Sequence, residues 1–357
     1  MNAPNDVRAM LVESATRLFA DHVDAKCLEN AKRDGWSPAL WEVIEQAELP
    51  RISIAEDAGG AGGSLSDLAA VLRVAGRYAA PAPLAETALL ANWMLAECGL
   101  ALPRGPLAAG IADGLTLRRA ADAWIVSGEL HRVAWARMAS RLVVLAEAEG
   151  EPHVLMVDPA ACEITPGRNL ASEPRDHVRL RDVHALAHAR APVGVDGSAL
   201  RLRGALARSL LMAGAMERAL ELAVEYARQR VQFGRKIGAF QAVQQELARC
   251  GGEVAAAVAA ALSAAGAVER GADACFAVAA AKIRTAEAAR EVALIAHQVH
   301  GAIGVTEEYA LHHSTMRLWS WREEYGNEAQ WAIALGARLQ REGADALWPN
   351  LTASDGN

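Results

Sequence analysis

Tyr226-Ala-Arg-Gln-Arg-Val-Gln-Phe-Gly-Arg-Lys-Ile-Gly-Ala-Phe-Gln-Ala-Val-Gln244 is the stretch on which the reading of this chain turns. Upstream of it, Leu206, Leu210, Ala213, Leu220, Val224 and Ala227 fall near one helical face. Glu217, Arg218, Glu221, Glu225 and Arg228 populate the rest, the pattern of an amphipathic helix. Phe233-Gly234 predicts a turn that ends that helix. Beyond it the periodicity predicts a long helix over 240–267 and another over 274–299. Gly301-Ala-Ile-Gly304 interrupts, and further helices run from about Leu311.

Working back from this helical block, the texture changes between Pro103 and Val195. Short apolar runs, Trp124-Ile-Val126, Leu142-Val-Val-Leu145 and Val154-Leu-Met-Val157, are bounded by Gly, Pro, Asp or Glu and predict strands of a small β domain. Before it the chain is helical again. Leu11, Ala15, Leu18 and Phe19 recur at helical spacing. A helix over 36–47 is expected, with Ser37 at the N-cap and Pro38 at the first helical position. The glycine-rich run from Ile52 to Gly63 predicts an irregular turn, and Ser64 and Asp67 stand at capping-box spacing before a helix over 65–78. The expected division is a helical domain over 1–102, a β domain over 103–195, a helical bundle over 196–348 and a polar tail over 349–357.

Composition narrows the function classes. The 357 residues carry 52% apolar side chains, enough for a large core, and a formal net charge of -7 that argues against nucleic acid as the main partner. The five cysteines include no CxxC pair, so reduced thiols and a cytoplasmic location are the simplest reading. The Ala-rich stretch over 254–268 is too short for a convincing membrane span and reads as a buried helix. No metal site is expected: His312 and His313, adjacent on a helix, should point apart.

The quoted stretch resembles the signature of the acyl-CoA dehydrogenases, and Gln298-Val-His-Gly-Ala-Ile-Gly304 followed by Glu308-Tyr309 is similar to a second motif of that family. Glu56-Asp-Ala-Gly-Gly60 is similar to the family's N-terminal Glu-x-x-Gly-Gly turn. The resemblance implies a mostly α fold: an N-terminal helical domain, a β-barrel-like middle domain and a C-terminal four-helix bundle. It also implies FAD as cofactor, an acyl-CoA thioester as substrate, a dimer of dimers, and an electron-transfer flavoprotein as electron acceptor. Arg230, Phe233, Gln241, Gln298 and Gly301 are the cofactor-binding residues it implies, acting across a subunit interface. Their chemistry agrees: a guanidinium forks onto a pyrophosphate, an amide both donates and accepts, and glycine lets a backbone approach a phosphate. His300 beside Gly301 reads as part of the same loop.

The family removes the α-proton with a carboxylate while the β-hydride goes to the flavin. Here the matching run is Trp319-Ser-Trp-Arg-Glu-Glu-Tyr-Gly-Asn-Glu-Ala-Gln330, and alignment sets Gly326 where the base belongs. The family's alternative base position falls near Gly204 or Ala205. Glu323, Glu324 and Glu328 lie close by. Glu324 is the candidate base, and the competing reading makes Glu323 and Glu324 solvated helix charges near Arg322. The family's Thr-Glu-Pro segment is replaced by 105–116, and its Trp-Ile-Thr strand by Val133-Ala-Trp135, whose indole either stacks near a flavin or simply packs. These departures resemble a short branch of the family from bacterial sterol and aromatic-acid degradation, in which some members form α2β2 assemblies with one base-lacking subunit. Three readings follow: a dehydrogenase acting alone, a base-lacking subunit, or an acyl-CoA-binding protein without redox activity.

Overall fold

The computed structural model describes residues 3–111, 114–120, 123–148, 150–271, 274–343, 345 and 348–349. Most of the expected tail over 349–357 lies outside them. Two compact units divide the chain, one within Met1–Ala25, Ala69–Ala80 and Ala205–Asn357, the other within Lys26–Leu68 and Pro81–Gly204.

The second unit contains helices α2 (Ala25–Asp34, from its second residue) and α3 (Pro38–Gln46). Ser37 caps α3, its side chain accepting from the Leu40 amide, with Pro38 in the first turn as expected. Ser64 and Asp67 form the reciprocal box before α4 (Leu65–Arg77): the Ser64 amide donates to Asp67 Oδ2 and the Asp67 amide to Ser64 Oγ, each at 3.0 Å. After α4, a π turn (Glu86–Ala91) runs into α5 (Asn92–Glu97).

The predicted strands appear as part of two sheets, β1 (Leu107–Ile111) to β8 (Ala187–Arg190), the others being β2 (Thr116–Ala120), β3 (Ala123–Ala134), β4 (Arg141–Ala148), β5 (Glu151–Val157), β6 (Glu163–Thr165) and β7 (Arg175–His184). Their orders are β1-β4-β5-β8 and β2-β3-β7-β6; among the described residues the β1–β4 pairing is parallel and the others are antiparallel. Leu130, Val133, Leu142, Val144, Leu155, Val157, Val178 and Leu180 fill the core of this unit. Leu142 to Ala146 are buried without alternation, as expected of a strand covered on both faces. Trp135 packs: it is 3% exposed, its indole N–H donates to the Gly35 carbonyl at 3.3 Å, and the Arg175 guanidinium lies 5.0 Å over its ring.

The first unit is helical: α1 (Ala3–His22), the later part of α4, then α6 (Gly197–Gln229, from Ala205 onward), α7 (Gln241–Glu269), α8 (Ala274–His300), α9 (Leu311–Glu323) and α10 (Glu328–Glu342). Glycine decides how α4 meets α6. A Cβ on Gly76 would stand 2.1 Å from the Leu211 carbonyl oxygen, and one on Gly214 would stand 1.8 Å from that of Arg73. The two backbones therefore touch, and Arg73–Glu217 (3.0 Å) and Arg77–Glu221 (2.9 Å) flank the seam. Between α6 and α7 the sequence expectation needs correction. The helix ends at Gln229, and Phe233-Gly234 is the tip of a hairpin of β9 (Val231–Gln232) and β10 (Arg235–Lys236). Both tip residues have positive φ, +52° and +76°, which suits the twist of so short a ribbon.

Small side chains let α7 and α8 pack closely, with Ala257, Ala261, Ala264, Ala281, Ala286 and Ala289 all buried. α7 is long and apolar enough, by length and composition, to cross a membrane, and 33% of its most apolar window is buried within the chain. His312 and His313 also depart from expectation. Their ring centroids are 3.9 Å apart, because His312 Nδ1 turns back to the Tyr309 carbonyl at 2.7 Å at the start of α9 and the rings close on one another.

Candidate functional site

The residues implied in cofactor binding all belong to the helical unit, at helix ends or in the hairpin between α6 and α7. Arg230 follows the last residue of α6 and is held by backbone bonds on both sides, its N–H donating to the Tyr226 carbonyl and its carbonyl accepting from the Ile237 N–H, each at 2.8 Å. Its guanidinium is exposed and, among the described residues, has no hydrogen-bond or ion-pair partner. Phe233 at the hairpin tip is 91% exposed. Its ring meets that of Phe240 edge-on at 6.1 Å, and Phe240 is itself covered by the Arg235 guanidinium at 4.0 Å. Gln241 opens α7 with an exposed side chain. An aromatic ring left in water forgoes roughly 2 kcal/mol of burial in the isolated chain.

Gln298 lies in the last turn of α8, also exposed. Its neighbour His300 is buried, with Nδ1 facing the Ala296 carbonyl at 2.7 Å. Burial pushes the His300 imidazole below the ordinary histidine pKa, an effect opposed by hydrogen bonds to the backbone at Ala296 and Leu222. The ring stacks on Tyr226 at 4.7 Å and tilts against Tyr309 at 4.8 Å. These contacts tie the end of α6 to the end of α8, so the two sequence motifs meet in space. Gly301 then takes φ +63°, with no atom near its missing Cβ, and Gly304 is buried where a Cβ would meet that of His300 at 2.8 Å. A guanidinium unpaired among the described residues, two exposed amides and an open positive-φ glycine fit a pyrophosphate-bearing dinucleotide, which takes charged donors and a close backbone approach.

Glu324 lies elsewhere in the same unit, at the C-cap of α9. It is buried, in contrast to the reading that makes it a solvated helix charge. Arg208 Nε, on α6, donates to Glu324 Oε2 at 2.6 Å, and the two side chains are 1% and 8% exposed. Lys282 on α8 is fully buried beside them. Its ammonium donates to the carbonyls of Trp321 (3.0 Å) and Arg322 (2.7 Å) in the last turn of α9. Burial lowers the Lys282 pKa to about 7, Glu324 opposing the drop and Arg208 adding to it. The chain then turns sharply: Tyr325 has φ +56° and Gly326 φ +98° before Asn327 caps α10 through a capping box with Gln330. The Tyr325 carbonyl accepts from the Trp331 indole at 3.0 Å. Of the other carboxylates, Glu328 pairs with Arg322 and Glu323 is exposed. Arg208 and Lys282 were missed from sequence. Their one signal was a charge at an apolar-face position of a helix, in Ala-Arg-Ser-Leu and Ala-Lys-Ile.

Residues 202–328 match the family model described as acyl-CoA dehydrogenase, C-terminal domain, and residues 5–102 match acyl-CoA dehydrogenase, N-terminal domain. The acyl-CoA dehydrogenase IpdE2 of Mycobacterium tuberculosis is 31% identical over 319 residues, covering 87% of this chain and 90% of that protein. A solved steroid acyl-CoA dehydrogenase, the Tcur3481–Tcur3483 G363A variant, superposes with a TM-score of 0.85 at 27% identity, over 96% of this chain and 99% of its own. Butyryl-CoA dehydrogenase from Megasphaera elsdenii shares the fold, with a TM-score of 0.82 at 18% identity over 92% and 98% of the two chains. By its two matched domains and its relatives, the chain belongs to the acyl-CoA dehydrogenase family.

Proposed function

We propose that the chain is one subunit of an FAD-dependent acyl-CoA dehydrogenase that oxidises an acyl-CoA thioester to the 2,3-enoyl-CoA, and that a companion chain supplies the base. The observation that carries this reading is the Arg208–Glu324 pair. The candidate carboxylate, Glu324, is committed to a buried guanidinium at 2.6 Å, and the resemblance sets the base position itself at Gly326. A base must present its oxygen to a substrate proton. Glu324 instead anchors α9 to α6.

Arg230, Phe233, Gln241, Gln298 and Gly301 face outward, and this supports a cofactor site completed between chains. FAD, when bound, supplies the acceptor for the hydride leaving the substrate Cβ. Arg230 would hold the pyrophosphate charge, Phe233 would cover an apolar face and exclude water, and Gln298 and the Gly301 amide would orient the nucleotide end. The apolar window of α7, of which 33% is buried within the chain, supports burial against another subunit. The solved relative named for the product pair Tcur3481–Tcur3483 supports a two-chain assembly, and its steroid label supports a bulky acyl group. Electrons would pass on to an electron-transfer flavoprotein. We assign the reaction to the cytoplasm, in keeping with five cysteines free of disulfides.

Expression of the chain alone and with candidate companion chains tests the proposal. A chain that is colourless alone, turns yellow with a companion, and is then bleached by an acyl-CoA supports it. A yellow homo-oligomer bleached without any companion would favour the reading in which the chain acts alone. Thioester binding with no flavin in any combination would leave a binding protein.

A further inference from the structure

We infer that the solvent face of the β2-β3-β7-β6 sheet carries a binding site for a divalent transition-metal cation of the zinc class, with Glu129, His131 and His177 as ligands. Glu129 and His131 are two apart on β3 and share a face, while Leu130 between them is buried in the core. His177 lies on the neighbouring β7, and Val178 beside it is buried likewise. One carboxylate oxygen and one nitrogen from each imidazole lie within 4.8 Å of one another.

The backbone sets this up by a bulge. Register runs Leu130↔Val178 and then Val133↔Asp176, so His131 and Arg132 together stand opposite His177. Arg132 absorbs the extra residue at φ +55°. The two imidazoles lie face to face, 4.6 Å between centroids and 13° from parallel. His177 Nε2 is 3.1 Å from Glu129 Oε2. Two ligands each about 2.0–2.1 Å from a tetrahedral ion stand roughly 3.3 Å apart, so this pair already spans a coordination edge. His131 is exposed and reaches the third position by side-chain rotation.

Arg179 supports the site rather than blocking it. Its Nε donates to Glu129 Oε1 at 2.7 Å, the oxygen that does not face His177. The guanidinium charge is shared with Glu163, 3.9 Å from Arg179, which in turn pairs with Arg181 at 3.0 Å. Held this way, Glu129 turns its other oxygen, Oε2, toward His177. The arrangement is a carboxylate oriented by an outer-shell donor, two histidines, and an open fourth position for water. An ion there clamps β3 to β7 across the bulge.

The test uses the whole chain, stripped with EDTA, dialysed and titrated with zinc chloride by calorimetry. Cobalt substitution provides a visible absorption band for tetrahedral coordination. One equivalent of zinc should bind in the micromolar range and raise Tm, and His131→Ala, His177→Ala and Glu129→Gln should each weaken that equivalent at least about tenfold. Because none of the three side chains is buried, the variants should keep the parent's far-UV circular dichroism and metal-free Tm. Zinc bound with the same affinity and stoichiometry by a His131→Ala/His177→Ala double variant would overturn the assignment, as would a parent chain that binds no tighter than that variant.

Discussion

Replacing Glu324 with Gln separates the structural role of this carboxylate from the catalytic one. The substitution keeps volume and removes one charge. It leaves Arg208, 1% exposed, without its counter-ion, and Lys282 without the group that favours its protonated form. At an effective dielectric of about 20, opposite charges with centres roughly 4 Å apart attract by about 4 kcal/mol. Breaking one side of a buried pair commonly costs about 3–5 kcal/mol, because the remaining charge stays desolvated. Glu324→Gln should therefore lower stability by about 3–5 kcal/mol. Urea unfolding at fixed protomer concentration, followed by circular dichroism and tryptophan fluorescence, reads this as a lowered midpoint at constant slope. The Arg208→Met/Glu324→Leu double variant removes both charges and should recover most of the loss. In an assembled, yellow complex, Glu324→Gln should still be bleached by substrate. A loss under about 1 kcal/mol, together with abolished flavin reduction, would refute the argument and restore Glu324 as the base.

Three further outcomes follow from the same geometry. The folded-state pKa of Lys282, about 7, lies below its ordinary value, so between pH 7 and about 10 the unfolded chain binds more protons than the folded one and stability rises with pH. Lys282→Met should flatten this rise by up to roughly 1.4 kcal/mol per pH unit, measured as the parent-minus-variant difference in urea midpoints across that window. Gly214→Ala drives a methyl group into the Arg73 carbonyl and should cost about 3 kcal/mol or more, visible as a large drop in Tm or loss of soluble protein; a Tm unchanged within a degree would contradict the backbone contact between α4 and α6. Arg230→Ala and Phe233→Ala, both exposed, should leave the urea midpoint within about 0.5 kcal/mol of the parent yet reduce the flavin content of the assembled protein; undiminished flavin absorbance would remove these residues from the cofactor site.

Local signals carried far in this sequence and long-range ones did not. Ser37-Pro38 and Ser64…Asp67 set helix starts through neighbours three residues away, and both were legible. The strand runs at Trp124, Leu142 and Val154 were equally plain, because bounded apolar runs are a property of a few consecutive residues. The hairpin at Phe233-Gly234 read only as a helix stop, since two-residue strands carry no alternation to detect. The outward reach of Arg230 and Gln298 entered through resemblance, because no pattern distinguishes a guanidinium waiting for a ligand from one in water. Glu324 stood as the candidate base beside a competing reading that left it solvated, and its burial was not legible: its partner Arg208 lies 116 residues away, and only the packing of α6 against the end of α9 joins them. Glu129 and His177, 48 residues apart, were invisible as a pair until the strand register set them side by side.

Why a charged cluster occupies the α6–α8–α9 junction needs its own explanation, because burial of ions is a poor source of stability when apolar side chains of similar volume would pack as well. The geometry of the turn supplies one. At the end of α9 the Lys282 ammonium donates to the carbonyls of Trp321 and Arg322, and the Trp321 carbonyl also accepts from the Glu324 amide at 3.2 Å. The Arg208–Glu324 pair fixes the next residue, and the Arg208 guanidinium lies 5.5 Å from the ring of Tyr325. Tyr325 is held at φ +56°, a conformation that a residue with a Cβ adopts only under constraint, at a cost of order 1–3 kcal/mol. Apolar replacements would fill the space but could not choose this turn over its neighbours in conformation space, because they make no directed bonds. The charges therefore specify one geometry for Tyr325-Gly326, the segment aligned with the family's base position.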